Sequence, residues 1–178
     1  MKLNIGCGKR NFGKEWVHID GSNFSHVDSN DISLKSFKEN SVDLIYSSHF
    51  IEYFDRNEIE IMLTKWKKVL KRNGILRIAV PDFKSCAELY LQGQFSLNKF
   101  LGPLYGKMNM GKELIYHKTT FDFDSLKKLL EKIGMKNIFI YDWRKTEHAK
   151  FDDHSQASLP HMDKNNGKLI SLNVESHK

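Results

Sequence analysis

The sequence predicts an α/β domain built on a mostly parallel sheet. Short apolar runs recur with amphipathic segments between them, and two of those segments have clear helical spacing. The first apolar run also ends in a Gly-x-Gly turn. At 178 residues the chain suits one domain with a core of ordinary size. Its 40% hydrophobic and 28% charged content is that of a globular protein rather than a disordered or fibrous one. No apolar run approaches the length of a membrane span, and Cys7 and Cys86 do not make a disulfide framework. A strand is expected directly after Met1, so neither signal peptide nor anchor is read and a cytoplasmic location is expected.

The net charge of +6 permits an anionic substrate without demanding one. The lysines are dispersed, and the densest group (Lys65, Lys67, Lys68, Lys71 and Arg72) reads as the solvated face of a helix. Neither nucleic acid nor a membrane is an expected partner.

Leu3–Ile5 is the first buried strand, and it runs into Gly6-Cys7-Gly8, where bare backbone N–H groups can approach a ligand. Val17–Ile19 is the second, ending in Asp20, a carboxylate suited to both hydroxyls of a ribose. Only Cys7 to Trp16 separates them, room for one helical turn where a parallel crossover ordinarily takes about a dozen residues. Gly21 to Asn40 is polar and turn-rich, with a helical turn expected near Leu34 to Phe37. Val42–Tyr46 is the next buried strand, closing at Ser47-Ser48-His49.

Arg56–Arg72 carries Ile59, Met62, Leu63, Trp66, Val69 and Leu70 on one face, with Asp55 and Glu58 as a capping box and Gly74 as its stop. Ile75–Val80 is a strand closed by Pro81-Asp82, and Phe83–Leu91 a helix. Residues 92–118 form an insertion with apolar anchors and several glycines, Gly106 and Gly111 among them. Asp124–Lys132 is a second amphipathic helix, stopped at Gly134, and Lys136–Trp143 a strand. Residues 144–168 form a second insertion, and Leu169–Glu175 is the last strand. No helix separates the last two strands, so antiparallel pairing is open to them.

Taken together, Leu3 to Gly8, Trp16 to Asp20 and Val42 to Phe54, followed by the Gly74 and Ile75-to-Pro81 unit and Ser171 to Glu175, resemble class I S-adenosylmethionine-dependent methyltransferases. The resemblance is nearest to a small bacterial branch linked with surface-polysaccharide biosynthesis and covers most of the chain. It implies a Rossmann-like three-layer sandwich whose seven-stranded sheet is mostly parallel with the last strand antiparallel, and an abbreviated first helix. It implies S-adenosylmethionine as cofactor. Gly6, Cys7 and Gly8 would meet its methionine end, and Asp20 and Gly21 its ribose. Asp31 and Ile32 would hold the adenine, and Ser47, Ser48 and His49 would line the methyl region. The chain departs from the family pattern at Asn4, where many members have an acid, and at Tyr53, often a histidine.

His49 and His117 are the candidate general bases, one following a cofactor strand and the other the aromatic insertion expected to roof the site. Cys7 reads as a small turn residue rather than a nucleophile. His148, His154 and His161 fit no familiar zinc spacing and read as surface residues, so no metal is expected. The Ser-Ser-His after the fourth family strand lacks the Pro-Pro-aromatic of amino-methylating DNA enzymes. It also lacks the hard oxygen pair that magnesium would need. The expected activity is methyl transfer to a small polar acceptor such as a sugar or glycan precursor. The alternatives are cleavage of the cofactor and non-catalytic cofactor binding.

Overall fold

The apolar runs assemble into a six-stranded sheet in the computed structural model, which describes residues 1–110 and 113–178. Gly111 of the first insertion lies outside the described residues. In chain order the elements begin with β1 (Lys2–Ile5), β2 (Trp16–Ile19), β3 (Val42–Ser48), α1 (Arg56–Val69) and β4 (Leu70–Pro81). There follow α2 (Phe83–Leu91), α3 (Leu101–Tyr105), β5 (Met108–Asn109), β6 (Leu114–Ile115) and α4 (Phe123–Lys132). The chain ends with β7 (Lys136–Ile140), β8 (Ser158–Leu159), β9 (Lys168–Leu169) and β10 (Ser171–His177). The sheet order is β2-β1-β3-β4-β10-β7. The first four chain-order strands pair in parallel, and β10 runs antiparallel to both β4 and β7.

Six strands replace the expected seven because the polar stretch after β2 has no apolar run to bury. It contributes a single bridge, Ile19 with Ser29. The Leu34 to Phe37 stretch likewise forms turns rather than helix, with Leu34 at φ +56°. Even the abbreviated helix between β1 and β2 is absent. That connection is a loop fastened by Phe12, buried against Trp16 and Tyr46.

α1 starts on its capping box: the Asp55 carboxylate accepts from Asn57 N at 3.0 Å, and Glu58 accepts from Asp55 N at 2.8 Å. It ends at Val69 rather than Arg72, because Leu70 already pairs with Val42 of β3. The chain then turns through 71–74, with Asn73 at φ +61°, before the main pairing with β3 resumes at Ile75.

The period-3.6 faces of α1 and α4 bury Ile59, Leu63, Trp66, Leu126 and Leu130 against Leu3, Ile5, Ile45 and Ile78 of the sheet. On the opposite face, Phe12, Trp16, Leu44 and Tyr46 form a separate aromatic layer. His148 belongs to that layer. It is buried, with its ring stacked on Phe12 and 4.1 Å from the Tyr46 ring, so the surface position expected for it is wrong. Burial pushes its pKa down to about 4, which leaves it a neutral aromatic. A small third cluster of Cys86, Leu89, Phe100, Leu159 and Ile170 ties the two insertions together.

Candidate active site

The carboxyl ends of β1, β2 and β3 surround a cavity of about 270 Å³. Gly6 has φ +71°, its N–H donates to Ile19 O at 2.8 Å, and a Cβ there would land 2.4 Å from ring atoms of Phe50. Only glycine lets the turn sit that close. At Gly8 (φ +53°) a Cβ would meet only Arg10, at 3.9 Å, so this backbone faces open space. Asp20 braces the turn by accepting from Gly8 N and from Ser22 N, each at 2.8 Å, one on each carboxylate oxygen. Each oxygen keeps further lone-pair capacity.

Of the cofactor residues expected from sequence, Gly6, Gly8, Asp20, Gly21, Ile32, Ser48 and His49 line this cavity. Three do not. Cys7 faces a void of about 10 Å³ behind the turn, and burial pushes its thiol up to about 12, which suits a packing role. Ser47 is buried within β3. Asp31 is turned away, accepting from Ser33 Oγ and from Ser36 N and Oγ; its neighbour Asn30 lines the cavity instead. Burial alone would raise the Asp31 carboxyl, but those bonds outweigh it and hold the carboxyl at about 2.

A second cavity of about 470 Å³ adjoins the first and is walled by both insertions. His117 lies here, with Lys99, Pro103, Leu159 and His161. His49, Tyr53, Met108 and His154 line both cavities and form the boundary between them. A Cβ at Gly106 would sit 2.0 Å from His117 Nε2, so this glycine makes the room the ring occupies.

Both candidate bases are neutral. Burial, then the neighbouring His154, His117 and Arg10, push His49 well below the ordinary histidine range, and burial lowers His117. His117 Nδ1 lies 3.1 Å from Pro103 O, and a carbonyl only accepts, so Nδ1 carries the hydrogen and Nε2 the lone pair. Behind the two rings stands Glu52, fully buried, with neither carboxyl oxygen hydrogen-bonded. Its Oε1 is 3.8 Å from His49 Nδ1 and 3.8 Å from His117 Nε2.

Sequence reasoning missed Glu52, Tyr53, Arg10 and His154 as parts of the site. Glu52 left one signal, a carboxylate inside the apolar run Phe50 to Phe54. Arg10 and His154 left none. Arg10 Nε donates to Asp152 O at 3.2 Å and its Nη2 lies 3.2 Å from His154 Nε2, clasping the glycine turn to the second insertion. His154 is exposed, as expected from sequence, yet it borders both cavities. Among the described residues no group of three or more His, Cys, Asp or Glu side chains has metal-holding geometry. A shallow depression of about 530 Å³ between α1 and α4 carries only helix-surface residues such as Lys132, paired with Glu60.

Residues 9–78 match the family model described as "Methyltransferase domain". Over that stretch the chain is similar to methyltransferase domains. Its fold is shared by a methyltransferase of Archaeoglobus fulgidus described as SAM-dependent, at TM-score 0.60 and 18% identity over 99% of this chain and 85% of the other. A Methanosarcina mazei methyltransferase, also described as SAM-dependent, superposes at TM-score 0.59 and 17% identity, over 99% of this chain and 91% of the other. The Burkholderia thailandensis 1,6-didemethyltoxoflavin-N1-methyltransferase, solved with that acceptor and S-adenosylhomocysteine, does so at 0.55 and 12%, over 99% and 70%. No curated protein matches the sequence.

S-adenosylmethionine is the methyl donor of the SAM-dependent enzymes that share this fold, and the residues around the first cavity suit it. The first cavity offers an open glycine backbone and a strand-end carboxylate at one side, with the apolar walls of Ile32, Phe50 and Phe54 nearby. Ser48 and Ser22 hold buried hydroxyls without partners in or beside this cavity, polar capacity that a ligand can satisfy. Among the described residues no helix is long and apolar enough to cross a membrane.

Proposed function

We propose that this methyltransferase methylates a small polar acceptor held in the second cavity, a sugar hydroxyl or related glycan precursor. The observation that carries the reading is the junction of the two cavities, where His49, Tyr53 and His154 stand between the space at the glycine turn and the space walled by the insertions. Asn98, Lys99, Ser158 and His161 give the second cavity hydrogen-bonding groups suited to a hydroxylated ligand. The glycan assignment rests on the sequence resemblance, and a cytoplasmic site of action goes with it.

When bound, the cofactor supplies an activated methyl group carried on a positively charged sulfur. The chain's part is to align the acceptor in line with it, exclude water and take the acceptor's proton. Asp20 would receive the ribose hydroxyls, Gly6 and Gly8 would meet the methionine end, and Ile32 would cover the adenine. In this reading Asn30, rather than Asp31, stands at the adenine edge. His117 Nε2, or His49, takes the proton released as the hydroxyl oxygen is methylated.

Transfer of radiolabelled methyl from S-adenosylmethionine into a lysate fraction, with cofactor breakdown in buffer alone as control, tests the function. His117→Ala is expected to lower the transfer rate by ~10²–10⁴-fold while leaving calorimetric cofactor binding within about twofold of wild type. An unchanged rate would remove His117 as the base. Cofactor loss without labelled product would replace transfer with cleavage.

A further inference from the structure

We propose that Glu52 is a positioning residue that shares one proton with His117 and His49 and so sets when these rings can act as bases. The proposal deepens the methyl-transfer reading and rests on it for its functional meaning, but its structural content stands on hydrogen-bond accounting.

The orientation of each ring follows from its other partner. His117 Nδ1 donates to the Pro103 carbonyl, leaving the Nε2 lone pair toward Glu52 Oε1. His49 Nε2 lies 3.1 Å from Ser171 Oγ, and the Ser171 hydroxyl spends its own hydrogen on Asn173 Oδ1 at 3.0 Å. The Asn173 amide is itself oriented by donating to Ser155 O at 2.9 Å. His49 Nε2 must therefore donate to Ser171, and its Nδ1 lone pair also points at Glu52.

Two lone pairs thus converge on one buried carboxyl that has no hydrogen bond of its own. An ionised carboxylate there would face acceptors on both sides without a donor, which buried charge does not tolerate. A proton on Glu52 resolves the conflict, and burial does push this carboxyl up to about 8. The backbone holds the arrangement in place: Lys118 N and Thr119 N donate to Glu52 O at 2.8 and 3.2 Å, pinning the His117 segment to it. The other titratable or charged groups around the trio are the Tyr53 phenol, whose ring lies 4.6 Å from that of His117, and His154 and Arg10 beyond His49. Burial and the nearness of Glu52 push the Tyr53 phenol up to about 12, so it stays protonated throughout.

With its proton in place the trio is uncharged. Once that proton is lost, the carboxylate can hold the proton His117 takes from an acceptor, as an imidazolium–carboxylate pair. For the acceptor proton to move to His117 Nε2, the acceptor hydroxyl must enter the gap between that nitrogen and Glu52 Oε1, which stand 3.8 Å apart without a hydrogen bond, and no further reactant is needed. The sign of the pH dependence follows: base competence rises as pH rises through the region where Glu52 ionises. The trio titrates as a unit, so the transition belongs to all three groups together.

The test is histidine-ring NMR on protein carrying ¹⁵N-histidine, titrated with and without Glu52→Gln. In wild type, the His117 and His49 ring signals are expected to shift together in a transition near pH 8, the range of the buried carboxyl. In Glu52→Gln that shared transition is expected to vanish, leaving two independent titrations on the acid side. Identical ring titrations in both proteins would overturn the proposal. If the variant does not fold, infrared spectroscopy of wild type with ¹³C-glutamate decides: a protonated-carboxyl stretch should be present well below pH 8 and lost well above it. Its absence at the lower pH overturns the proposal. Calorimetry with S-adenosylmethionine in the same buffers tests the methyltransferase reading separately, because the ring titrations need no cofactor.

Discussion

Asp20→Ala is expected to weaken S-adenosylmethionine binding by about a hundredfold or more. The carboxylate would accept from two ribose hydroxyls, and hydrogen bonds to a charged group are worth about 1.5–3 kcal/mol each, so losing two amounts to at least ~3 kcal/mol. The substitution also frees Gly8 N and Ser22 N, which rest on the two Asp20 oxygens, and so loosens the glycine turn proposed to meet the cofactor. Asp20→Asn keeps the shape and one acceptor oxygen, and should fall between wild type and alanine. Isothermal titration calorimetry reads the series, with circular dichroism confirming that each variant is folded. A change of less than about threefold for the alanine variant would mean that this carboxylate does not hold the ribose.

Trp66→Ala is expected to be the most destabilising single change in the core, at about 3–5 kcal/mol. Trp66 is fully buried on α1, and its Nε1 donates to Ile32 O at 2.8 Å. Its ring also lies nearly parallel to Phe50, with centroids 6.5 Å apart, and Phe50 is the side chain against which Gly6 sits. One side chain therefore props two walls of the first cavity from behind. For a chain of this size the loss corresponds to a fall of roughly 10 °C in melting temperature. Trp66→Phe keeps most of the packing but leaves Ile32 O unpaired, and should cost about 1–3 kcal/mol. Thermal unfolding by calorimetry measures both. A fall of less than about 3 °C for the alanine variant would contradict the role given to this residue.

The parts of the fold that were legible from sequence are those whose signal is local. α1 announced itself by an apolar face and a capping box, β4 by the mostly apolar run Ile75 to Val80, and β10 by alternating apolar residues. The sheet's edge was not legible, because the stretch from Gly21 to Asn40 has the polarity of a loop and only the resemblance argued for a strand there. The same division runs through the site. Gly6, Gly8 and Asp20 were readable because turn chemistry and a strand-end acid are properties of neighbouring residues. Asp31 was misjudged because a short acidic side chain can serve a ligand or cap its own turn, and Ser33 and Ser36 decide for the cap. Arg10 and His154 meet across 144 positions of chain, a distance no local pattern reports. His148 is drawn inside by stacking on Phe12, a contact between distant parts of the chain that its spacing from other histidines does not report.

The boundary formed by His49, Tyr53, Met108 and His154 bears on how many methyl groups one acceptor can receive. Among the described residues the two cavities share no others: Asp20, Gly21 and Asn30 belong to one, and Asn98, Lys99 and His161 to the other. With cofactor and acceptor placed as proposed, spent and fresh cofactor would trade places past the β2 end while the acceptor stays among the insertions. The architecture suits successive modification of a single bound molecule, and mass spectrometry of products formed with acceptor in large excess would register it as di- or trimethylated species appearing before the monomethylated pool is filled.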